Sequence, residues 1–220
     1  RQPGSGFKPI IYVTAFEEGY TPASMINDAP LVINEAGQEN EWRPENFNKK
    51  FSGMTSLRTA LMYSKNIISI RLLKEIGIDK ALQTALRFGF TDEQLPKTLS
   101  LALGSGYATP VQMARVYATF ANGGFLVDPY YIDRIESAEG VLIYQAKPKK
   151  ACPECESNQI LPIVNMAPRI ISPEVNFLMN SLLTDVMQKG TAKSAKSLGR
   201  HDIAGKTGTT NEQRDAWFNG

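Results

Sequence analysis

The order of secondary-structure patterns along this sequence restricts its fold more than any other feature. Helical spacing dominates, and the last strand patterns follow the longest helix, which is predicted to begin at Ser172-Pro173-Glu174 and to end at Gly190. The apolar residues of that helix share one face: Val175, Leu178, Met179, Leu182, Leu183 and Val186. Two strands are predicted after it, at residues 202–209 and 216–218, joined by a polar turn at residues 211–214. This order favours a mixed α/β fold with an antiparallel sheet.

Shorter helices are predicted before that long helix. They cover residues 5–18, a segment from residue 57 onward, and residues 67–75, 79–88 and 110–121, with Thr55 and Thr109 as N-caps. Residues 21–51 are rich in Pro, Asn and Asp and are predicted to form a loop. Residues 131–135 and 141–144 flank Ser137-Ala138-Glu139-Gly140, which predicts a β-hairpin.

The composition is that of an ordinary globular protein, with 42% hydrophobic and 21% charged residues in 220. The length fits one large domain or two small ones, and we predict a single domain over residues 1–220. A net charge of +2 gives no sign of a nucleic-acid partner. No apolar run reaches the length of a membrane-spanning helix, and no signal peptide is visible. The abrupt first and last residues suggest a piece of a longer polypeptide.

Residues 147–168 are predicted to be an irregular insertion that carries the two cysteines, Cys152 and Cys155. A closed zinc site needs four ligands, and the single histidine, His201, lies far away in the sequence, so no metal site is predicted. A redox pair would open a helix after a strand, and neither pattern is visible here. A disulfide is the first choice, with two free thiols as the alternative.

Ser5 and Lys8 form the first candidate catalytic pair. A Ser-His-Asp triad needs a histidine, and His201 is the only one in the sequence. A serine enzyme of this composition is therefore expected to use lysine as its base. Residues three apart share a helical face, which places Lys8 one turn from the Ser5 hydroxyl. At a helix N-terminus, free N–H groups and the helix dipole favour negative charge on Ser5. A motif this short is also expected about once by chance in a chain of this composition. In that case Ser5 would be an ordinary capping serine and Lys8 an exposed lysine.

Two further motifs can carry chemistry. Ser64-Lys65-Asn66 interrupts a helical pattern, so its serine and amide can point into one cleft, although an ordinary helix-to-helix turn has the same composition. Lys206-Thr207-Gly208-Thr209-Thr210 lies on a predicted strand, where a lysine charge and threonine hydroxyls can hold a carboxylate. Gly208 would let a substrate approach the backbone closely, or would mark a simple glycine bulge. The Lys-Thr-Gly triplet is the rarest of the three motifs by chance.

Taken in order, these motifs resemble the active-site signature of the penicillin-binding proteins and serine β-lactamases. Their surroundings resemble more closely the class A, bifunctional penicillin-binding proteins, over nearly the whole chain. The similar segments are Pro3-Gly4-Ser5-Gly6-Phe7-Lys8-Pro9, Trp42-Arg43-Pro44-Glu45-Asn46-Phe47, Leu57-Arg58-Thr59-Ala60-Leu61, Leu101-Ala102-Leu103-Gly104, Thr109-Pro110, Phe120-Ala121-Asn122-Gly123-Gly124, Gly205-Lys206-Thr207-Gly208-Thr209-Thr210-Asn211-Glu212 and Asp215-Ala216-Trp217-Phe218. Residues 147–165 have no recognisable counterpart.

The resemblance implies a role for each motif residue. Ser5 would attack the penultimate D-Ala carbonyl of a peptidoglycan stem peptide, and Lys8 is the leading candidate for accepting its proton. Ser64 would relay a proton to the leaving D-Ala, and Asn66 would bind the donor peptide amide. The terminal carboxylate would be held by Lys206 and by the substrate-binding strand residues Thr207, Gly208 and Thr209. The oxyanion hole would be formed by backbone N–H groups of Ser5 and Thr209.

The resemblance further implies an antiparallel sheet flanked by helices, incomplete at both ends in this chain. It implies D,D-transpeptidase activity without cofactor or metal, and peptidoglycan stem peptides ending in D-Ala-D-Ala and β-lactams as partners. It places the activity at the periplasmic face of the cytoplasmic membrane, in a membrane-anchored parent with a glycosyltransferase domain upstream. The isolated piece is expected to be unstable and weakly active or inactive.

Three alternatives stay open at the level of sequence. A serine β-lactamase needs a carboxylate that activates water for deacylation, and no matching Glu is recognisable. A D,D-carboxypeptidase differs only in using water as the acceptor. A non-catalytic β-lactam sensor or scaffold is disfavoured by the intact triplets and by the class A flanking segments.

Overall fold

The computed structural model describes residues 1–34, 41–152, 165–210 and 214–220. The helices within these ranges are α1 (Lys8–Glu17), α2 (Leu57–Met62), α3 (Asn66–Ile76), α4 (Ile78–Arg87), α5 (Pro110–Ala121) and α6 (Pro173–Gln188). The strands are β1 (Met25–Asp28), β2 (Gly53–Ser56), β3 (Arg134–Glu136), β4 (Leu142–Gln145), β5 (Lys206–Thr209) and β6 (Ala216–Asn219). Short 3-10 turns lie at Gly4–Phe7, Asp92–Gln94, Leu99–Leu103 and Lys193–Leu198. The predicted mixed fold is confirmed.

Helix α1 forms the centre of the core. Every residue from Lys8 to Phe16 is buried. A helix that is apolar on nearly all sides belongs in the interior, and α1 packs against α3, α4 and α6. Because Lys8 is the first residue of this helix, its ammonium group enters the core at the end next to the Gly4–Phe7 turn.

The strands form three separate two-stranded antiparallel ladders among the described residues. In the ladder that carries the third motif, Lys206 pairs with Asn219 and Thr209 with Ala216. Strand β5 also packs against the Gly4–Phe7 turn. Alternation along β5 buries Lys206 and Gly208 and leaves Thr209 exposed, so one face of the strand points into the core and the other outward.

The loop predicted over residues 21–51 is the clearest error of the sequence interpretation. It contains strand β1, which pairs with β2 in the register Met25 to Ser56. The strand Met-Ile-Asn-Asp is short, and its Asn and Asp are turn-favouring residues, so it carries no β signal of its own. Thr55 was also wrongly predicted as a helix cap: it lies in β2, and Ser56 caps α2 by accepting a hydrogen bond from Thr59 N.

Other boundaries differ from the prediction by a few residues. The first turn of the predicted helix over residues 5–18 is 3-10, and the strand predicted over 202–209 begins only at Lys206. The hairpin is present, with its first strand shifted to Arg134–Glu136. Most of the predicted polar turn, residues 211–213, lies outside the described residues.

Part of the predicted irregular insertion, residues 153–164 including Cys155, also lies outside the described residues. Cys152 is disulfide-bonded. Within the described ranges, no helix combines the length and apolar character that a membrane crossing requires.

Candidate active site

Ser5 lies on the Gly4–Phe7 turn that leads directly into α1. The turn is anchored from three sides. Phe7 is buried and makes an edge-to-face contact with Phe90, with ring centroids 5.5 Å apart. Tyr117 donates its hydroxyl hydrogen to Gly6 O at 3.0 Å, and Trp217 Nε1 donates to Gln2 O at 3.0 Å. Residues from the core, α5 and β6 therefore fix the backbone on which Ser5 stands.

Two glycines allow other segments to approach this turn closely. Gly104 has φ +69°, and a Cβ there would lie 2.0 Å from Gly4 O. Gly4 N donates to Gly104 O at 3.2 Å, which ties the two backbones together. A Cβ on Gly208 would lie 2.4 Å from Pro3 O. The glycine of the Lys-Thr-Gly triplet thus has a packing reason: it lets β5 lie against the Ser5 turn.

Lys8 brings the first and second motifs together. Its Nζ lies 2.8 Å from Ser64 O, 2.8 Å from Asn66 Oδ1 and 3.3 Å from Ser64 Oγ. Lys8 has no exposed surface. Ser5 is half-buried, and its hydroxyl has no hydrogen-bond partner among the described residues.

Lys206 brings in the third motif. Its Nζ donates to Ser64 Oγ at 2.8 Å and to Thr207 O at 2.9 Å, and the residue is fully buried. Ser64 therefore lies between two buried lysines. It adopts φ +56°, a left-handed conformation that costs a non-glycine residue energy and points to a geometry held by its surroundings.

Burial changes the electrostatics of both lysines. Desolvation lowers the pKa of Lys206 to about 7, because the charged ammonium has lost its water. The pKa of Lys8 is lowered well below its ordinary value, first by desolvation and second by the charge of Lys206. Two ammonium groups that share one hydroxyl cannot both stay charged easily, so the arrangement favours one neutral amine.

The remaining residues of the third motif lie on the open side of β5. Thr209 is exposed, and Thr207 is half-buried with its hydroxyl 2.8 Å from that of Thr191. Within the described ranges, no group of three or more His, Cys, Asp or Glu side chains could hold a metal ion. The site offers hydroxyls and ammonium groups, which suit an anionic peptide end.

Sequence reasoning assigned no role to three buried polar residues, of which one lies within the second motif and two are bonded to it. Asp28, Asn46 and Lys65 are buried, and Asn46 and Lys65 both donate hydrogen bonds to Asp28. Asn46 also accepts a hydrogen bond from Asn66 N at 2.8 Å. The only signals in the sequence were the position of Lys65 inside the motif and of Asn46 inside the Trp42-to-Phe47 segment.

Comparison with protein families and sequences identifies relatives of the whole chain. The family model described as "Penicillin binding protein transpeptidase domain" matches residues 1–216. Penicillin-binding protein 1A of Pseudomonas aeruginosa is 40% identical over 253 aligned positions, which cover 100% of this chain and 31% of that protein. Penicillin-binding protein 1A of Neisseria lactamica is 45% identical and is covered to 26%. The chain thus spans about a quarter to a third of the length of these relatives.

Solved structures of related proteins have a similar fold. The crystal structure of penicillin-binding protein 1A from Haemophilus influenzae is 39% identical, with a TM-score of 0.90 over 99% of this chain and 36% of that chain. Penicillin-binding protein A of M. tuberculosis, in an imipenem acyl-enzyme complex, is 23% identical with a TM-score of 0.76, covering 99% of this chain and 50% of that chain, and shows the fold alone. The chain therefore belongs to the transpeptidase-domain family of the penicillin-binding proteins, as the class A resemblance of its motifs predicted.

Proposed function

We propose that this chain carries the D,D-transpeptidase site of a peptidoglycan-synthesising enzyme, with Ser5 as the acylated nucleophile. One observation supports this most strongly. Two fully buried lysines, Lys8 and Lys206, meet at the Ser64 hydroxyl next to the turn that bears Ser5. Burying ammonium groups is costly, and a site that does so twice within one hydrogen-bonded cluster gains a base near neutral pH.

Acylation begins with Lys8 as the base. In its neutral form the Lys8 amine has two N–H donors and one lone pair, so it cannot donate to all three of its present acceptors. The longest contact, 3.3 Å to Ser64 Oγ, is the one most easily given up or reversed. The lone pair can then take the Ser5 proton while Ser5 Oγ bonds to the penultimate D-Ala carbonyl carbon.

Leaving-group departure uses Ser64. The bond between the carbonyl carbon and the nitrogen of the terminal D-Ala breaks, and that nitrogen needs a proton to leave as an amine. Ser64 Oγ can supply it and recover a proton from Lys206, which donates to it at 2.8 Å, or from the newly protonated Lys8. The products are free D-Ala and an ester between Ser5 and the shortened stem peptide.

Substrate binding is assigned to the open face of the site. The terminal carboxylate would lie against Thr207, Thr209 and the Lys206 charge, and Gly208 keeps β5 close to the nucleophile. The carbonyl oxygen would accept hydrogen bonds from the N–H groups of Ser5 and Thr209, an oxyanion hole. Asn66 would bind the donor peptide amide, giving up part of its present pairing with Lys8 Nζ and Glu45 O.

An amine from a neighbouring stem peptide would then attack the ester carbonyl, form the cross-link and release Ser5. β-Lactams would acylate the same serine and remain as long-lived esters. The relatives named penicillin-binding protein 1A support this for the family to which the chain belongs. We further propose that the parent protein works at the outer face of the cytoplasmic membrane, where its substrate is found.

A transpeptidation assay tests this function. The full-length protein would be incubated with a donor stem peptide ending in D-Ala-D-Ala and an excess of amine acceptor, and products would be identified by mass. We expect one D-Ala released for each new amide bond, and neither product with Ser5→Ala. Release of D-Ala without amide formation at saturating acceptor would indicate a carboxypeptidase instead. No reaction by a folded protein would indicate a scaffold.

A further inference from the structure

A closed polar network lies beneath the second motif. Lys65 Nζ donates to Asp28 Oδ2 at 2.9 Å and to Ser52 Oγ at 2.7 Å. Asn46 Nδ2 donates to Asp28 Oδ1 at 2.7 Å, and Ser52 N donates to Asp28 Oδ2 at 3.0 Å. Asp28 has no exposed surface, and Asn46 and Lys65 are buried as well. Both carboxylate oxygens of Asp28 are therefore occupied by donors from two different segments.

Asn46 connects this network to the start of α3. Its Oδ1 accepts hydrogen bonds from Asn66 N at 2.8 Å and Ile67 N at 3.3 Å. The first N–H groups of a helix have no partner within the helix, and Lys65 at the cap position makes no side-chain capping bond. Asn46 thus caps α3 from another part of the chain, and its position determines where Asn66 begins that helix.

Lys65 holds the backbone directly after Ser64, between Ser64 and the start of α3. Its N–H donates to Ala60 O at 2.8 Å while its side chain is paired with Asp28. Ser64 lies in the left-handed region, a conformation that persists only where surrounding contacts impose it. The contacts of Lys65 and Asn46 restrain the backbone immediately after Ser64, so the network can impose that conformation.

Electrostatics favour the ionised form of Asp28. Burial acts to raise the pKa of Asp28, but hydrogen bonds from Lys65 and Asn46 and the Lys65 charge outweigh burial, so the pKa lies below its ordinary value. A buried ion pair contributes little net stability compared with an apolar pair, and its best-attested use is to specify one geometry. A geometric role is consistent with the position of this pair directly beneath a catalytic motif.

We propose that Asp28, Asn46 and Lys65 are positioning residues for acylation, which hold Ser64 and Asn66 against Lys8 without touching the substrate. The β1–β2 ladder is then part of the catalytic apparatus through Asp28. The inference rests on the proposed function, since it assigns a cause to the geometry of that site. It also explains why Asp28 and Asn46, which lie outside the three motifs, are buried and polar.

The test separates the rate of acylation from the fraction of protein that can react. Asn46→Ala and Asp28→Asn would be made in the full-length protein, with Asn180→Ala and Asp128→Asn as matched controls. Asn180 Nδ2 bonds Phe120 O and Asp128 pairs with Arg115, both outside the network. Benzylpenicillin adducts would be followed in time by intact mass, which gives the first-order acylation rate constant and the final stoichiometry.

We expect both network variants to reach full stoichiometry with the acylation rate constant lowered about 10- to 100-fold, because small displacements of catalytic groups have effects of that size. The controls should stay within about threefold of the wild type. Full stoichiometry at the wild-type rate would overturn the inference. So would a reduced stoichiometry in which the remaining fraction reacts at the wild-type rate, since that is a purely structural effect. Absence of an adduct on the wild-type protein would instead refute the proposed function.

A double variant keeps the test decisive if the single variants fold poorly. Asp28→Asn leaves the Lys65 ammonium buried without its counter-ion, and Lys65→Met leaves the carboxylate in the same state. The double variant removes both charges, so we expect it to lose no more activity than the worse single variant. Losses that multiply would show that the two residues act independently and would contradict a shared network.

Discussion

The candidate active site and the β3–β4 hairpin depart in opposite ways from the usual burial of apolar and exposure of charged side chains. At the site, Lys8 and Lys206 are fully buried in the core. On the hairpin, apolar side chains face solvent in the described structure, with Leu142 54% and Ile143 66% exposed. The lysines are tied by hydrogen bonds to Ser64, whereas the exposed apolar residues gain little from their surroundings.

We infer that this difference separates residues that the proposed chemistry requires from residues that folding tolerates. A buried ammonium group costs stability unless its donors are satisfied, so each lysine position is tightly specified by partners on other segments. An exposed isoleucine costs little, and its replacement disturbs few contacts. We therefore expect substitutions at the site to change acylation strongly while leaving the fold intact, and substitutions on the hairpin to change it little.

Among the substitutions at the candidate site and on the hairpin, Lys8→Met should lower the rate of acylation most. Methionine fills similar space without a base, so the second-order rate constant of acylation by benzylpenicillin should fall by roughly 10²- to 10⁴-fold. The rate constant is measured by intact-mass spectrometry of the full-length protein in samples quenched at successive times. Lys80→Met, which removes an exposed lysine paired with Glu18, is the control and should react normally. If the second-order rate constant of acylation of Lys8→Met lay within about threefold of the wild-type value, Lys8 would be excluded as the base.

Lys206→Met should shift the pH dependence. The charge of Lys206 is one cause of the lowered pKa of Lys8, and Lys206 itself carries its proton below about pH 7. Removing that charge raises the pKa of Lys8. Because acylation needs the neutral Lys8 amine, the increase of the acylation rate constant with pH should occur at higher pH than in the wild type. The profile of the second-order acylation rate constant measures this, with exposed Lys193→Met as control. If the rising part of the pH profile did not shift, or shifted to lower pH, the charge of Lys206 would not be what lowers the pKa of Lys8.

Hairpin substitution should have the smallest effect. Ile143→Ser on the exposed face of β4 should change the acylation rate constant by less than about twofold. The same change at fully buried Ile68 on α3 should lower the fraction of protein that reacts, because it places a hydroxyl in the core. A large rate change from Ile143→Ser would mean that the hairpin is coupled to the site and would remove the contrast.

The sequence predicted the parts of this fold that rest on local signals. Thr109 followed by Pro110 marks the start of α5 by capping chemistry, and Ser172 does the same for α6. It failed where pairing partners decide the structure: β1 exists because β2 lies opposite it, and nothing in residues 25–28 alone indicates a strand. The close packing of Gly104 and Gly208 on the Gly4–Phe7 turn likewise involves segments that are far away in the sequence.

The candidate site was predicted through its motifs but not through its supports. Ser5, Lys8, Ser64 and Lys206 were named from residue type and spacing, and the structure brings the last three into one hydrogen-bonded cluster. The partners of that cluster are far apart in sequence: Lys206 lies 142 residues from Ser64, a distance across which periodicity carries no information. Asn46 was named only within a family segment, because an asparagine that caps a distant helix has no local pattern.

Intact-mass spectrometry after incubation with benzylpenicillin decides whether Ser5 is the nucleophile. The full-length protein, its Ser5→Ala variant and a control Ser194→Ala variant would be compared. We predict one stable adduct of the intact mass of the drug on the wild type and on the control, and none on Ser5→Ala. An adduct that persists on Ser5→Ala, or that is absent from a folded wild-type protein, would contradict the account.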